Sequence, residues 1–186
     1  MKQLLIFAGL LLLLNSSLLG QASEAESLQN LQVDVIYLSA DLLEGRETGT
    51  PGEEMAARYI ASRFREIGLQ ARGDAGTFYQ PFVFKHQAHP HAEGEVRTGK
   101  NVVAYLDNGA EKTVVIGAHY DHIGYGAFNS RYVGDPAIHN GADDNASGVA
   151  ALLWLAEHLK NSEADDNNYL FIAFSAEEMG LHGSKH

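Results

Sequence analysis

The stretch from Thr113 to Ser175 constrains the fold more than any other. It contains TVVIGAH, a long loop, ASGVAALLWLAEHLK and YLFIAFS: an apolar strand, a helix apolar around most of its circumference, and a second apolar strand. A helix with so little polar surface has to lie against a sheet, and runs this continuously apolar belong to buried strands. Strand, crossover helix and strand make a right-handed parallel unit. The expected fold class is therefore α/β, with a mixed, mostly parallel sheet and helices on both faces.

The flanking segments fill in this plan. NVVAYL (101–106) precedes TVVIGAH, and the intervening DNGAEK has the Asp-Asn-Gly chemistry of a turn, which predicts an antiparallel hairpin. Upstream, Leu28, Leu31, Val35, Leu38 and Leu42 recur at intervals of three and four, predicting a helix that ends near Gly45. A second helix starts near Pro51, with early acids at Glu53 and Glu54 and an apolar face of Met55, Tyr59, Ile60, Phe64 and Ile67, and stops at Gly68. QPFVF (80–84) predicts a short strand. His86, His89 and His91 follow in a polar stretch with no carboxylate or cysteine at ligand spacing, which reads as a solvated loop.

Composition narrows the compartment and the partners. The amino end, MKQLLIFAGLLLLLNSSLLGQAS, has Lys2, an apolar run from Leu4 to Leu14, and small residues at Gly20 and Ala22. That layout predicts a signal peptide over residues 1–22; the run is short for a membrane span, and no second one follows. The expectation is a secreted or periplasmic protein with no stable membrane association after cleavage, and with residues 23–186 forming part of one domain. The chain lacks cysteine, so it has no disulfides and no cysteine nucleophile. A net charge of -11 argues against nucleic acid as a partner. Nothing in the sequence specifies an oligomeric state.

Three polar segments fall where the strands end: GAHYDHIG (117–124), HNGADDNASG (139–148) and FSAEEMG (174–180). The carboxyl ends of parallel strands share one edge, where sites form. That edge should collect His119, Asp121, Asp143, Asp144, Glu177 and Glu178. So many acids in one place would repel without a cation, and an imidazole among carboxylates suits zinc better than magnesium.

In this order and spacing, His-x-Asp, Gly-Ala-Asp-Asp-Asn-Ala-Ser-Gly and Ser-Ala-Glu-Glu-x-Gly resemble the co-catalytic zinc exopeptidases of metallopeptidase family twenty-eight, among them secreted bacterial aminopeptidases. The resemblance runs from about Ile36 to the last residue and is densest from Val114 onward. It implies the phosphorylase/hydrolase-like core of those enzymes, incomplete at the carboxyl end, and two Zn2+ ions acting on a peptide or protein substrate. By the same resemblance His119 binds one zinc, Asp121 steadies it from behind, Asp144 bridges the two metals, Glu178 binds the other zinc, and Glu177 is the general base. Neighbouring residues leaving a strand point in different directions, so one carboxylate can hold metal while the other takes a proton. The family also has an aspartate and a histidine ligand further downstream. The sequence ends at His186 before either, so residues 23–186 read as the amino-terminal part of a catalytic domain.

Other readings compete. Taken singly, Glu177 and Glu178 would be a solvated strand end, and Asp143-Asp144-Asn145 a helix cap; Asp143 keeps the capping reading. His122, His139 and His158 read as loop or surface histidines, and ligation by His182 is not expected. Gly94 to Lys100 fits a phosphate-loop pattern, but Asn101 replaces the required Ser or Thr. A catalytically inactive secreted homologue that binds peptide or metal is the main alternative. A cyclase acting on amino-terminal glutamine is another, against which His119 argues.

Overall fold

The computed structural model describes residues 27–87 and 93–186. The expected signal peptide, His89 and His91 lie outside that range. Helix α1 covers residues 27–38, and a 3-10 turn, Asp41–Arg46, leads into α2, Pro51–Ile67. Strands β1 (Gln70–Ala71), β2 (Tyr79–His86), β3 (Glu95–Leu106) and β4 (Thr113–His119) follow. Then come α3 (Ser147–Lys160), β5 (Asn168–Phe174) and a final turn of helix, α4 (His182–Lys185).

Helix α2 has the expected limits for the expected reasons. The Thr50 side chain accepts the backbone N–H of Glu53, Pro51 takes the first turn, and Gly68 closes the helix in a left-handed conformation at φ 85°. Gly52 is dictated by packing, because a Cβ there would lie 1.9 Å from the Leu43 carbonyl oxygen. Helix α1 is shorter than its periodicity predicts, and Leu28 and Leu42 are exposed. Its buried face includes Asp34, which pairs with Arg63 at 3.0 Å and accepts the Tyr59 hydroxyl at 2.6 Å.

The sheet runs in the order β1-β3-β5-β4, with β2 also paired to β3. It is mixed, as expected, but only β4 and β5 are parallel; β1, β2 and β5 each pair antiparallel with β3. The expected hairpin of NVVAYL with TVVIGAH does not form, because β5 lies between them. The turn is tied to β5 instead: the Asn168 side chain accepts the backbone N–H of Asn108 at 2.9 Å and of Ala110 at 3.1 Å, and donates to the Ala110 carbonyl at 2.7 Å. Lying between β3 and β4, strand β5 has backbone hydrogen-bond partners along both of its edges.

The two long helices pack together, while α4 meets the opposite face of β3 through the Gly183 carbonyl, which accepts from Asn101 at 3.0 Å. Among the described residues, α2 and α3 share one core on one side of the sheet, formed with Val102, Ala104, Tyr169, Phe171 and Ala173. Each fully buried aromatic such as Phe64 or Phe171 contributes roughly 1.5–3 kcal/mol. On the opposite face Val115 remains 60% exposed. Among the described residues no helix is long and apolar enough to cross a membrane.

Candidate metal centre

The parallel register sets the site. His119 ends β4 directly opposite Phe174, which ends β5, so the loops leaving both strands start at one edge. The third loop, before α3, is drawn in by Asn145. Its side chain donates to the His119 carbonyl at 3.3 Å and accepts the Gly148 N–H at 3.1 Å. The helix start is thus capped by Asn145, while Asp143 engages Ser147 only through its backbone carbonyl.

Asp144 is common to two groupings. Its Oδ1 is 3.2 Å from His119 Nε2. Asp144, Glu178 and His122 also place ligand atoms within 4.8 Å of one another. His122 Nδ1 is 2.7 Å from Glu178 Oε1, and this hydrogen bond holds the Glu178 carboxyl below its usual range against the opposing effect of burial. Glu177 lies nearer the first histidine, 4.0 Å from His119 Nδ1. Imidazole nitrogens and carboxylate oxygens gathered in this way are a donor set that fits zinc.

Asp121 is fully buried. Its carboxylate accepts the backbone N–H groups of Glu177 at 3.0 Å and Glu178 at 3.3 Å, and the Thr48 hydroxyl at 3.2 Å. The His119 ring instead meets the Asp121 backbone carbonyl, at 3.3 Å, while the carboxylate stands back at 3.9 Å. Burial pushes the Asp121 carboxyl up to about 7, although the two amide hydrogen bonds pull it down.

Residues the motifs did not flag hold this arrangement. Arg46 is almost completely buried, and its guanidinium donates to the carbonyls of Leu38, Tyr120 (2.8 Å), Asn140 (2.6 Å) and Gly141 (3.0 Å). It ties together the loops that carry Asp121 and Asp144. Burial lowers its pKa to about 10, while Asp121, Asp144 and Glu178 resist that fall. Buried Glu53 accepts from the Ser175 and Tyr120 hydroxyls and from the Gly49 N–H, fixing the end of β5 from below.

Of the histidines set aside, His122 joins the cluster. The available signal was its position three residues after His119 on the same loop. His182 stacks on Phe84 at 4.4 Å, His158 stacks on Trp154 at 5.2 Å, and the His139 ring contacts the Ser130 hydroxyl at 3.1 Å. A cavity of about 310 Å³ opens beside His119 and Glu177, walled by Phe174 and Leu181.

The fold is similar to that of solved zinc-dependent exopeptidases from Bacteroides vulgatus and Parabacteroides distasonis. Residues 101–186 match the family described as Peptidase family M28. The chain is 33% identical over 148 residues to the Alkaline phosphatase isozyme conversion protein of Escherichia coli, covering 78% of this chain and 41% of that protein. It is 33% identical over 127 residues to the Probable lipoprotein aminopeptidase LpqL of Mycobacterium tuberculosis, covering 68% and 21%. Among solved structures, the zinc aminopeptidase BSAP from Bacillus subtilis superposes with a TM-score of 0.65 at 16% identity, covering 85% of this chain and 64% of that one. The fold is also shared by solved glutaminyl cyclases. The chain spans less than half the length of the two curated relatives.

Proposed function

We propose that the protein is an exported zinc aminopeptidase. It would hydrolyse the peptide bond next to a free amino terminus, with two zinc positions that share Asp144. The observation that carries this reading is that Asp144 lies 3.2 Å from His119 and within 4.8 Å of the His122–Glu178 ligand atoms, with Glu177 4.0 Å from His119.

In this reading His119, Asp144 and Glu178 would hold the zinc, with Asp144 common to two positions. Bound zinc supplies Lewis acidity, which lowers the pKa of a water and polarises a carbonyl. Glu177 takes the proton from the attacking water and returns it to the departing amine. Its carboxylate has no hydrogen-bond donor among the described residues, which leaves it free for that task. Asp121 orients both glutamates by gripping their amides. The cavity walled by Phe174 and Leu181 suits an apolar side chain at the first residue of the substrate. The lipoprotein aminopeptidase relative and the apolar amino end support export.

The test is Glu177→Gln in the full-length protein, assayed on amino-terminal amide substrates. Turnover is expected to fall by about 10²–10⁴-fold with zinc content intact. Retained turnover would remove Glu177 from the role of base. Cyclisation of amino-terminal glutamine with release of ammonia, in place of peptide hydrolysis, would overturn the aminopeptidase reading.

A further inference from the structure

Glu177 and Glu178 are adjacent and chemically identical, yet the fold treats them differently. The Glu178 side chain is 15% exposed and its Oε1 meets His122 Nδ1 at 2.7 Å. The Glu177 side chain is 36% exposed, with His119 at 4.0 Å as its nearest imidazole. Both backbones are equally fixed, because Asp121 accepts both amides. The Glu178 carbonyl also accepts from Asn129 at 3.0 Å. The divergence is in the side chains, and His122 is a partner that Glu178 has and Glu177 lacks.

We propose that His122 is a positioning residue that turns Glu178 into the metal ligand of the pair and so leaves Glu177 as the base. This rests on the zinc reading above. An ionised carboxylate only accepts hydrogen bonds, so the ring nitrogen facing Oε1 carries the proton. A protonated nitrogen cannot coordinate an ion, so through Nδ1 His122 acts on Glu178: it holds one oxygen and leaves the other as the donor atom. Hydrogen-bonded partners behind ligating groups fix ligand geometry in this way.

The backbone that carries the ring is held firmly. The His122 N–H donates to the Arg46 carbonyl at 3.2 Å, and His122 forms a bridge with Glu47. Glu47 in turn pairs with Arg97 at 2.5 Å. The Arg46 guanidinium is anchored to the loop before Asp144. His122, Asp144 and the backbone of Glu178 thus share a frame, and the remaining freedom of the Glu178 side chain is removed by the imidazole.

Two variants of the full-length protein test this by chelator competition for zinc. His122→Phe keeps the ring volume and loses the donor, and is expected to weaken zinc binding by about 10–100-fold. His122→Asn, whose side-chain amide can donate from the position of Nδ1, is expected to recover most of the affinity. A role in packing alone would be served by Phe and would not be rescued by Asn. Equal zinc affinity in His122→Phe and the unaltered protein overturns the inference while leaving the zinc reading standing. An Asn variant as weak as Phe also overturns it, since the ring would then be a ligand itself. An unaltered protein that binds no zinc sinks both readings together.

Discussion

The carboxylate of Asp121 accepts the backbone N–H of Glu177 at 3.0 Å, and its second oxygen accepts that of Glu178 at 3.3 Å. One buried side chain therefore sets the direction in which two acids leave a strand. Asp121→Asn places an amide donor where an acceptor is needed. The folded state is expected to lose about 1–3 kcal/mol, measured by urea denaturation of the metal-free protein. A variant as stable as the unaltered protein contradicts this bracing role.

Asp144 lies near both His119 and the His122–Glu178 pair, whereas His119 is grouped with Asp144 alone among these. Asp144→Asn is expected to take bound zinc towards zero, and His119→Ala to remove only part of it. Metal analysis after dialysis separates the cases. Identical losses in the two variants would mean that Asp144 is not shared.

Arg46 donates to four carbonyls in a buried pocket, next to three site carboxylates. Arg46→Met leaves those acceptors without a donor and the acids without their internal counter-ion. Destabilisation of about 3–5 kcal/mol is expected in chemical denaturation. Arg46→Lys should recover only part, because an ammonium lacks the planar fork that reaches several carbonyls at once.

Burial raises the pKa of Glu53 above its ordinary value of 4.5. The native state then holds this proton more tightly than the unfolded chain does. Its stabilising contribution is complete below 4.5 and is lost as pH rises through the raised value. The urea midpoint of the metal-free protein is expected to fall with pH across that window, and Glu53→Gln to flatten part of the fall. An unchanged pH dependence in the variant would show that Glu53 titrates normally.

Helix α2 was legible because its signals are local: Thr50, Pro51 and Gly68 act within a turn of where they stand. The strand, helix and strand from β4 to β5 were legible because each element is apolar over its whole length. The β3–β4 hairpin was misread because Asn108 and Gly109 resemble a closed turn, while the residue that captures the turn, Asn168, lies far along the chain. His119, Asp121, Asp144, Glu177 and Glu178 lie at one edge, whereas Asp143 is not among their contacts. His122 and Arg46 were overlooked for a related reason: a histidine becomes a positioning group, and an arginine an internal cation, only through partners that distant segments bring to them. The Asp34 pair with Arg63 likewise sits on a helical face that periodicity assigned to leucines.

Strand β4 ends the sheet among the described residues, and Val114 and Val115 on it are exposed. Its outer rim carries peptide groups with no partner strand beside an apolar surface, which is the combination that invites another chain to add a strand. Residues 27–186 prepared alone would therefore be prone to self-templating along β4. A lysine introduced at Val115 would discourage that association while leaving the metal edge untouched.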